Sequence, residues 1–92
     1  MEITFNKTKE GYVAEFEATS DFNLHIEREV KGSIAVYQRT TPSGEYDSIY
    51  MGGYFNREHK TIDADFVGAI YPKYIKVVSS AEVTKAELTL KA

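Results

Sequence analysis

Apolar and polar side chains alternate with a period of two through most of this chain, and that period constrains its fold more than any other feature. In Tyr12–Ala18, Ala14, Phe16 and Ala18 share one face, and Glu15 and Glu17 take the other. In Phe22–Glu27, Phe22, Leu24 and Ile26 point one way, and Asn23, His25 and Glu27 the other. Ile34–Tyr37, Tyr46–Met51, Thr61–Phe66 and Tyr74–Val78 continue the pattern. Thr84–Lys91 closes it, with Ala86, Leu88 and Leu90 on one face. Ile3–Phe5 adds a short opening strand, which brings the expected number to about eight.

Turn chemistry falls between these segments. Lys9-Glu10-Gly11, Thr19-Ser20-Asp21, Lys31-Gly32-Ser33 and Thr41-Pro42-Ser43-Gly44 carry residues that accept or prefer turn geometry. Asn56–Lys60 reads as a polar loop, and Gly52-Gly53 as a bulge or sharp bend. Pro72 stands at the start of the next strand, where a missing N–H is tolerated. Ser79–Glu82 is the one stretch that suits a helical turn. Short strands spaced this way, each with one polar face and with no helices to cover a parallel sheet, predict an antiparallel β-sandwich. It is expected to be jelly-roll or immunoglobulin-like and to form a single domain over residues 1–92.

Size and composition narrow the function. A chain of 92 residues buries roughly 60–65% of its unfolded surface, enough for one two-layer core and little more. It contains no cysteine, so disulfides, thiolate chemistry and cysteine-based zinc sites are excluded. The net charge is −3, with the acids concentrated early: Glu2, Glu10, Glu15, Glu17, Asp21, Glu27 and Glu29 stand against Lys7, Lys9 and Arg28. An acidic chain without a basic stripe lacks the usual footprint of a nucleic-acid binder. Met1–Asn6 has neither the basic nor the apolar region of a signal peptide, and no stretch reaches transmembrane length. Cytoplasmic synthesis is therefore expected, with no membrane partner.

Two sets of side chains are candidates for chemistry. Asp63 and Asp65 lie on one strand face, about 6–7 Å apart. That is half of a calcium site without the ligand-dense loop such sites use, so a plain solvated face is the simpler reading. If Tyr12–Ala18 and Phe22–Ile26 form a hairpin about Ser20, Glu15 faces His25 and Glu17 faces Asn23, with Glu27 nearby. A Glu–His pair is able to transfer protons. An open sheet face, however, neither excludes water nor supplies an oxyanion hole. His25 and His59 are the only histidines, His59 in a charged and solvated loop. No phosphate-binding loop or nucleophile elbow is present, so no enzyme, no metal and no cofactor is expected.

The tyrosines carry more information. With Ile34 and Val36 inward, Tyr37 lies on the outer face beside Ala35 and Arg39. With Ile49 and Met51 inward, Tyr46 and Tyr50 lie outside, and with Ile75 and Val77 inward so does Tyr74. Together with Tyr54, these form a candidate recognition surface for another protein subunit or a sugar ring. The alternatives are cross-strand aromatic pairs that stabilise the sheet, or a reversed assignment in which one of these faces is the core.

The run Tyr71–Leu90, containing Pro72-Lys73-Tyr74-Ile75-Lys76-Val77-Val78-Ser79-Ser80, follows a Gly44–Tyr50 strand. This resembles small β-sandwich virion proteins of tailed bacteriophages, such as head-decoration and fibre-associated subunits. The resemblance implies a homo-oligomeric structural protein without a cofactor, incorporated into a virion. The same stretch is similar to the late strands of galactose-binding-like jelly rolls. Lys73 and Lys76 stand where those modules usually carry arginines, and lysine lacks the planar fork that grips carboxylates and sugars. The expected function is a structural or assembly protein acting through protein–protein surfaces. The alternatives are a carbohydrate-binding or adhesin-like module, and an accessory domain of a longer secreted enzyme.

Overall fold

The computed structural model describes residues 2–52, 59–68 and 70–91. Eight strands follow one another: β1 (Asn6–Thr8), β2 (Gly11–Ala18), β3 (Asp21–Gly32), β4 (Ile34–Arg39), β5 (Asp47–Gly52), β6 (His59–Phe66), β7 (Lys73–Ser79) and β8 (Val83–Lys91). They form two antiparallel sheets, one ordered β1-β2-β7-β4-β5 and the other β6-β3-β8. The apolar faces read from the sequence meet between them. Phe22, Leu24, Ile26, Ile62, Ala86 and Leu88 come from the smaller sheet, and Ala18, Ile34, Val36, Ile75 and Val77 from the larger. The β-sandwich expected from the alternation is what forms.

The pairing follows one rule, and it decides between the two expected topologies. β2 pairs with β7, β3 with β6 and β4 with β5, while Glu2 bridges to Glu87 in β8. The first segment thus meets the last and the second the second-last, as in a long hairpin folded over on itself. That is the jelly-roll arrangement. Residues 2–8 also cross from one sheet to the other: Ile3 donates its N–H to Ala86 of β8 at 3.4 Å, and Asn6–Thr8 then pairs with β2. The opening strand therefore lies later than the expected Ile3–Phe5. Ile3 and Phe5 serve instead as partly buried side chains against the core.

Two further expectations are corrected. β2 and β3 do not form a hairpin, because β2 pairs with β7 and β3 with β6 and β8. Their apolar stripes face each other across the core rather than lying side by side, and Phe16 meets Phe22 edge to face at 5.8 Å. In β5 a bulge falls at Ile49, which undoes the assignment of Tyr50 outward and Met51 inward: Val36 opposes Tyr50 while Tyr37 opposes Ser48, which leaves Ile49 as the extra residue. An extra residue reverses the alternation beyond it. Ile49 and Tyr50 both pack on the core, and Met51 is 55% exposed. Gly52 ends β5, and Gly53 lies outside the described residues. Of the supposed polar loop, His59 and Lys60 open β6, and residues 56–58 fall outside the described residues.

One end of the sandwich is held by a buried charge. Arg28 continues the inward series Phe22, Leu24, Ile26 and is 4% exposed. Its guanidinium donates to the backbone carbonyls of Ser33 (2.9 Å), Gly32 (3.1 Å) and His59 (2.6 Å) and to the Ser79 hydroxyl (3.1 Å). Segment 79–82 makes no helical turn. It bends between β7 and β8, with the Ser79 hydroxyl donating to Ala81 O at 2.7 Å.

Candidate functional site

The outer side of the five-stranded sheet takes its residues from the parity opposite to the core. β4 contributes Ala35, Tyr37 and Arg39, β7 contributes Tyr74, Lys76 and Val78, and β2 contributes Glu15 and Glu17. The register sets Tyr37 opposite Lys76 and Arg39 opposite Tyr74, so rings and cations alternate. Glu15 and Glu17 then flank Lys76 and Tyr74 on the other side. Tyr46, ahead of β5, lies over this surface: the Arg39 guanidinium is 4.4 Å and the Lys76 ammonium 5.5 Å from its ring centroid. Arg39 also donates to Gly44 O at 3.3 Å, which ties the turn carrying Tyr46 to β4. Lys76 is paired with Glu10 at 2.8 Å. A shallow depression of about 530 Å³ lies between Glu10, Ala35, Tyr37, Tyr46, Lys76 and Val78.

Three of the five tyrosines singled out in the sequence are therefore brought together: Tyr37, Tyr46 and Tyr74. Tyr50 is not among them. The bulge at Ile49 turns it inward, where it meets Phe66 edge to face at 5.9 Å. Tyr54 lies outside the described residues. Sequence reading set Arg39 beside Tyr37 but did not bring it onto Tyr46. That contact depends on how the turn between β4 and β5 folds back.

The carboxylate and histidine candidates occupy the outer face of the other sheet. Glu15 and Glu17 are absent from it, because they lie on the opposite side of the molecule. Asp63 and Asp65 of β6 instead join Asn23, His25 and Glu27 of β3. The Asn23 amide donates to Asp63 at 2.7 Å and to Asp65 at 3.0 Å, and Lys91 pairs with Asp65 at 2.6 Å. His25 places Nδ1 2.9 Å from Asp63 and Nε2 2.7 Å from Glu27. A neutral imidazole has one donor, whereas two carboxylate contacts require two. The arrangement therefore suits the imidazolium. Hydrogen bonds donated to Glu27, then to Asp63, raise the His25 pKa above its ordinary 6.5. Those from His25 hold Glu27 below 4.5, and those from Asn23, then His25, hold Asp63 below 3.8. Among the described residues no group of three or more potential ligands is arranged to hold a metal ion.

This network makes stability depend on pH with a definite sign. A raised imidazole pKa contributes stability that is complete below 6.5 and lost as pH rises through the folded value. Lowered carboxylate pKa values contribute stability above 4.5 and 3.8 that is lost as pH falls through the folded values. Glu87, opposite His25 in β8, and Lys85, 3.9 Å from Glu27, complete the charges facing the ring. The thermal midpoint is expected to fall between pH 6 and pH 9 in the native chain and to stay flat over that range in His25→Gln. An equal fall in both would sink the assignment.

Comparison of the chain with known protein families, with curated proteins and with solved structures finds no match.

Proposed function

We propose that this chain is a non-enzymatic assembly protein, and that the outer face of its five-stranded sheet packs against other copies of itself. One observation carries the reading. That face combines Tyr37, Tyr46 and Tyr74 with Arg39, side-chain types that dominate the energetics of protein interfaces. Its charge is also divided, acidic along β2 at Glu15 and Glu17 and basic along β4 and β7 at Arg39 and Lys76. A two-fold contact sets the same patch against itself, so the acidic strip of one copy meets the basic strip of the next. Tyr37 and Tyr74 are held on paired strands and Tyr46 lies against Arg39 and Lys76, so little side-chain freedom is lost on contact. The likeness of Tyr71–Leu90 to phage virion proteins supports the same reading, with a particle as the setting for assembly.

Light scattering after gel filtration tests this. The native chain is expected to form a defined oligomer at micromolar concentration. Glu15→Lys/Glu17→Lys is expected to weaken association by about tenfold or more, since it sets like charges against Arg39 and Lys76. Both glutamates are exposed, so the fold should be unaffected. A strict monomer at high micromolar concentration overturns the proposal, as does a double variant that assembles like the native chain.

A further inference from the structure

The inward positions of the sheets are apolar with few exceptions, and the exceptions lie at opposite ends. At one end Arg28 and Ser79 are bonded to each other and to backbone carbonyls. At the other end Gln38 continues the inward series Ile34, Val36, and Lys73 precedes the inward Ile75 and Val77. Among the described residues these two are held less firmly than Arg28 and Ser79. Among the described residues the Gln38 amide makes no side-chain hydrogen bond and Lys73 no ion pair. The Lys73 ammonium stands 5.2 Å from the centroid of the Tyr71 ring. The nearby Asp21 carboxylate accepts from the Tyr71 hydroxyl and from the Gly68 N–H at 3.0 Å, and Lys73 adds a weaker electrostatic attraction without a direct ion pair.

Gln38 and Lys73 line one cavity of about 280 Å³ between the sheets. Tyr50, Phe66 and Tyr71 supply aromatic walls, with the buried Phe22 beneath them, and Asp65 stands among the lining residues. Phe22 and Phe66 are stacked at 4.9 Å, with Tyr50 edge-on to Phe66, so the walls are braced before any ligand arrives. The Tyr71 hydroxyl is fixed by Asp21, which leaves its ring as wall rather than as donor.

We propose that this end of the sandwich binds a single acidic pyranose, a hexuronate, with its ring against the aromatic walls and its carboxylate on Lys73. The cavity has room for about one sugar ring and little more. Pyranose rings present C–H faces that suit aromatic walls, and their hydroxyls both donate and accept. Gln38 matches them with a donor and an acceptor on one amide. An aromatic acid would use Lys73 and the walls but would leave the Gln38 carbonyl without a donor. Lys91 on Asp65 offsets the negative charge that would otherwise oppose a carboxylate. This site lies apart from the proposed assembly face and does not depend on it.

The test is a protein-observed NMR titration with D-glucuronate, D-glucose and benzoate. Glucuronate is expected to give saturable shifts at the Gln38 side-chain amide and at Tyr71 and Lys73. Glucose should bind there about tenfold more weakly, for want of the charged contact. Lys73→Met should reduce glucuronate to the level of glucose, and Gln38→Leu should weaken both sugars. Each variant replaces an inward polar group by an apolar one, so neither should lower the thermal midpoint. The absence of saturable shifts at the pocket overturns the proposal. So does benzoate binding as tightly as glucuronate, or native affinity for glucuronate in Lys73→Met.

Discussion

Replacing Arg28 by Met is expected to cost the domain about 3 kcal/mol, because it removes the donors that the guanidinium supplies to four acceptors at once. Met retains most of the aliphatic stem, so the loss is chiefly one of hydrogen bonds. The carbonyls of Gly32 and His59 lose donors at 3.1 and 2.6 Å, and Ser79 and Ser33 lose one each. Each buried group left unsatisfied costs about 1–3 kcal/mol, partly offset by no longer burying a cation. Ser33 O is the least affected, since the Ser80 N–H also donates to it at 3.0 Å. Arg28→Lys is expected to fare no better, because one ammonium does not span acceptors spread over β3, the β3–β4 link, β6 and β7. A domain of this size has about 5–14 kcal/mol in total, so the loss is a large fraction of its stability. Urea unfolding should show a lower midpoint with the slope unchanged. A midpoint within about 0.5 kcal/mol of the native value would remove Arg28 from this role.

Gly11→Ala is the second large effect, about 2–3 kcal/mol, and it arises from backbone geometry rather than a lost bond. Gly11 has φ of +128°, and a Cβ there would lie 2.7 Å from the carbonyl oxygen of Ser79 on the neighbouring strand. That oxygen belongs to β7 backbone and has little freedom to retreat. The turn before it is already fixed, with Glu10 N–H donating to the Thr8 hydroxyl at 3.1 Å and that hydroxyl to Gly11 O at 3.3 Å. Gly44→Ala is the control. Its Cβ would meet the Thr41 hydroxyl at 2.6 Å, the end of a side chain free to rotate, and its φ is ordinary. Thermal unfolding should separate the two by on the order of 10 °C. Equal midpoints would show that β2 shifts freely at its start.

Much of the candidate site was legible before the structure, but unevenly. Tyr37, Arg39 and Tyr74 were assigned to the outer surface by parity alone, and there they lie. Tyr50 was assigned there by the same reasoning and lies inside, because one extra residue at Ile49 reverses the alternation. Nothing in Asp47-Ser48-Ile49-Tyr50-Met51 marks which residue bulges. Arg28 is legible by the same rule: its number has the same parity as Phe22, Leu24 and Ile26, which directs it inward. Gln38 and Lys73 offered the same signal at the opposite end.

The His25 network shows a different limit. Glu27 was correctly set on the face of His25, two residues along one strand. Asp63 and Asp65 were read as a separate pair, because the sequence alone does not say that β6 lies beside β3. The Glu15 contact expected for His25 rested on the assumption that consecutive strands are neighbours.

By itself the sequence determined that the fold is all-β, a sandwich of about eight strands, and which side chains of nearly every strand share a face. A period of two is local, set by the pleat of each strand, and survives whatever that strand pairs with. Only the tertiary structure decided the neighbours. The apolar stripes of β2 and β3 would be buried equally well side by side in one sheet or opposed across the core, and alternation is silent between the two. The choice was made by the whole chain, by pairing β2 with β7 and β3 with β6 and β8. The same choice brought Arg39 and Tyr74 together, joined Asp63 to His25, and left Gln38 and Lys73 facing one cavity.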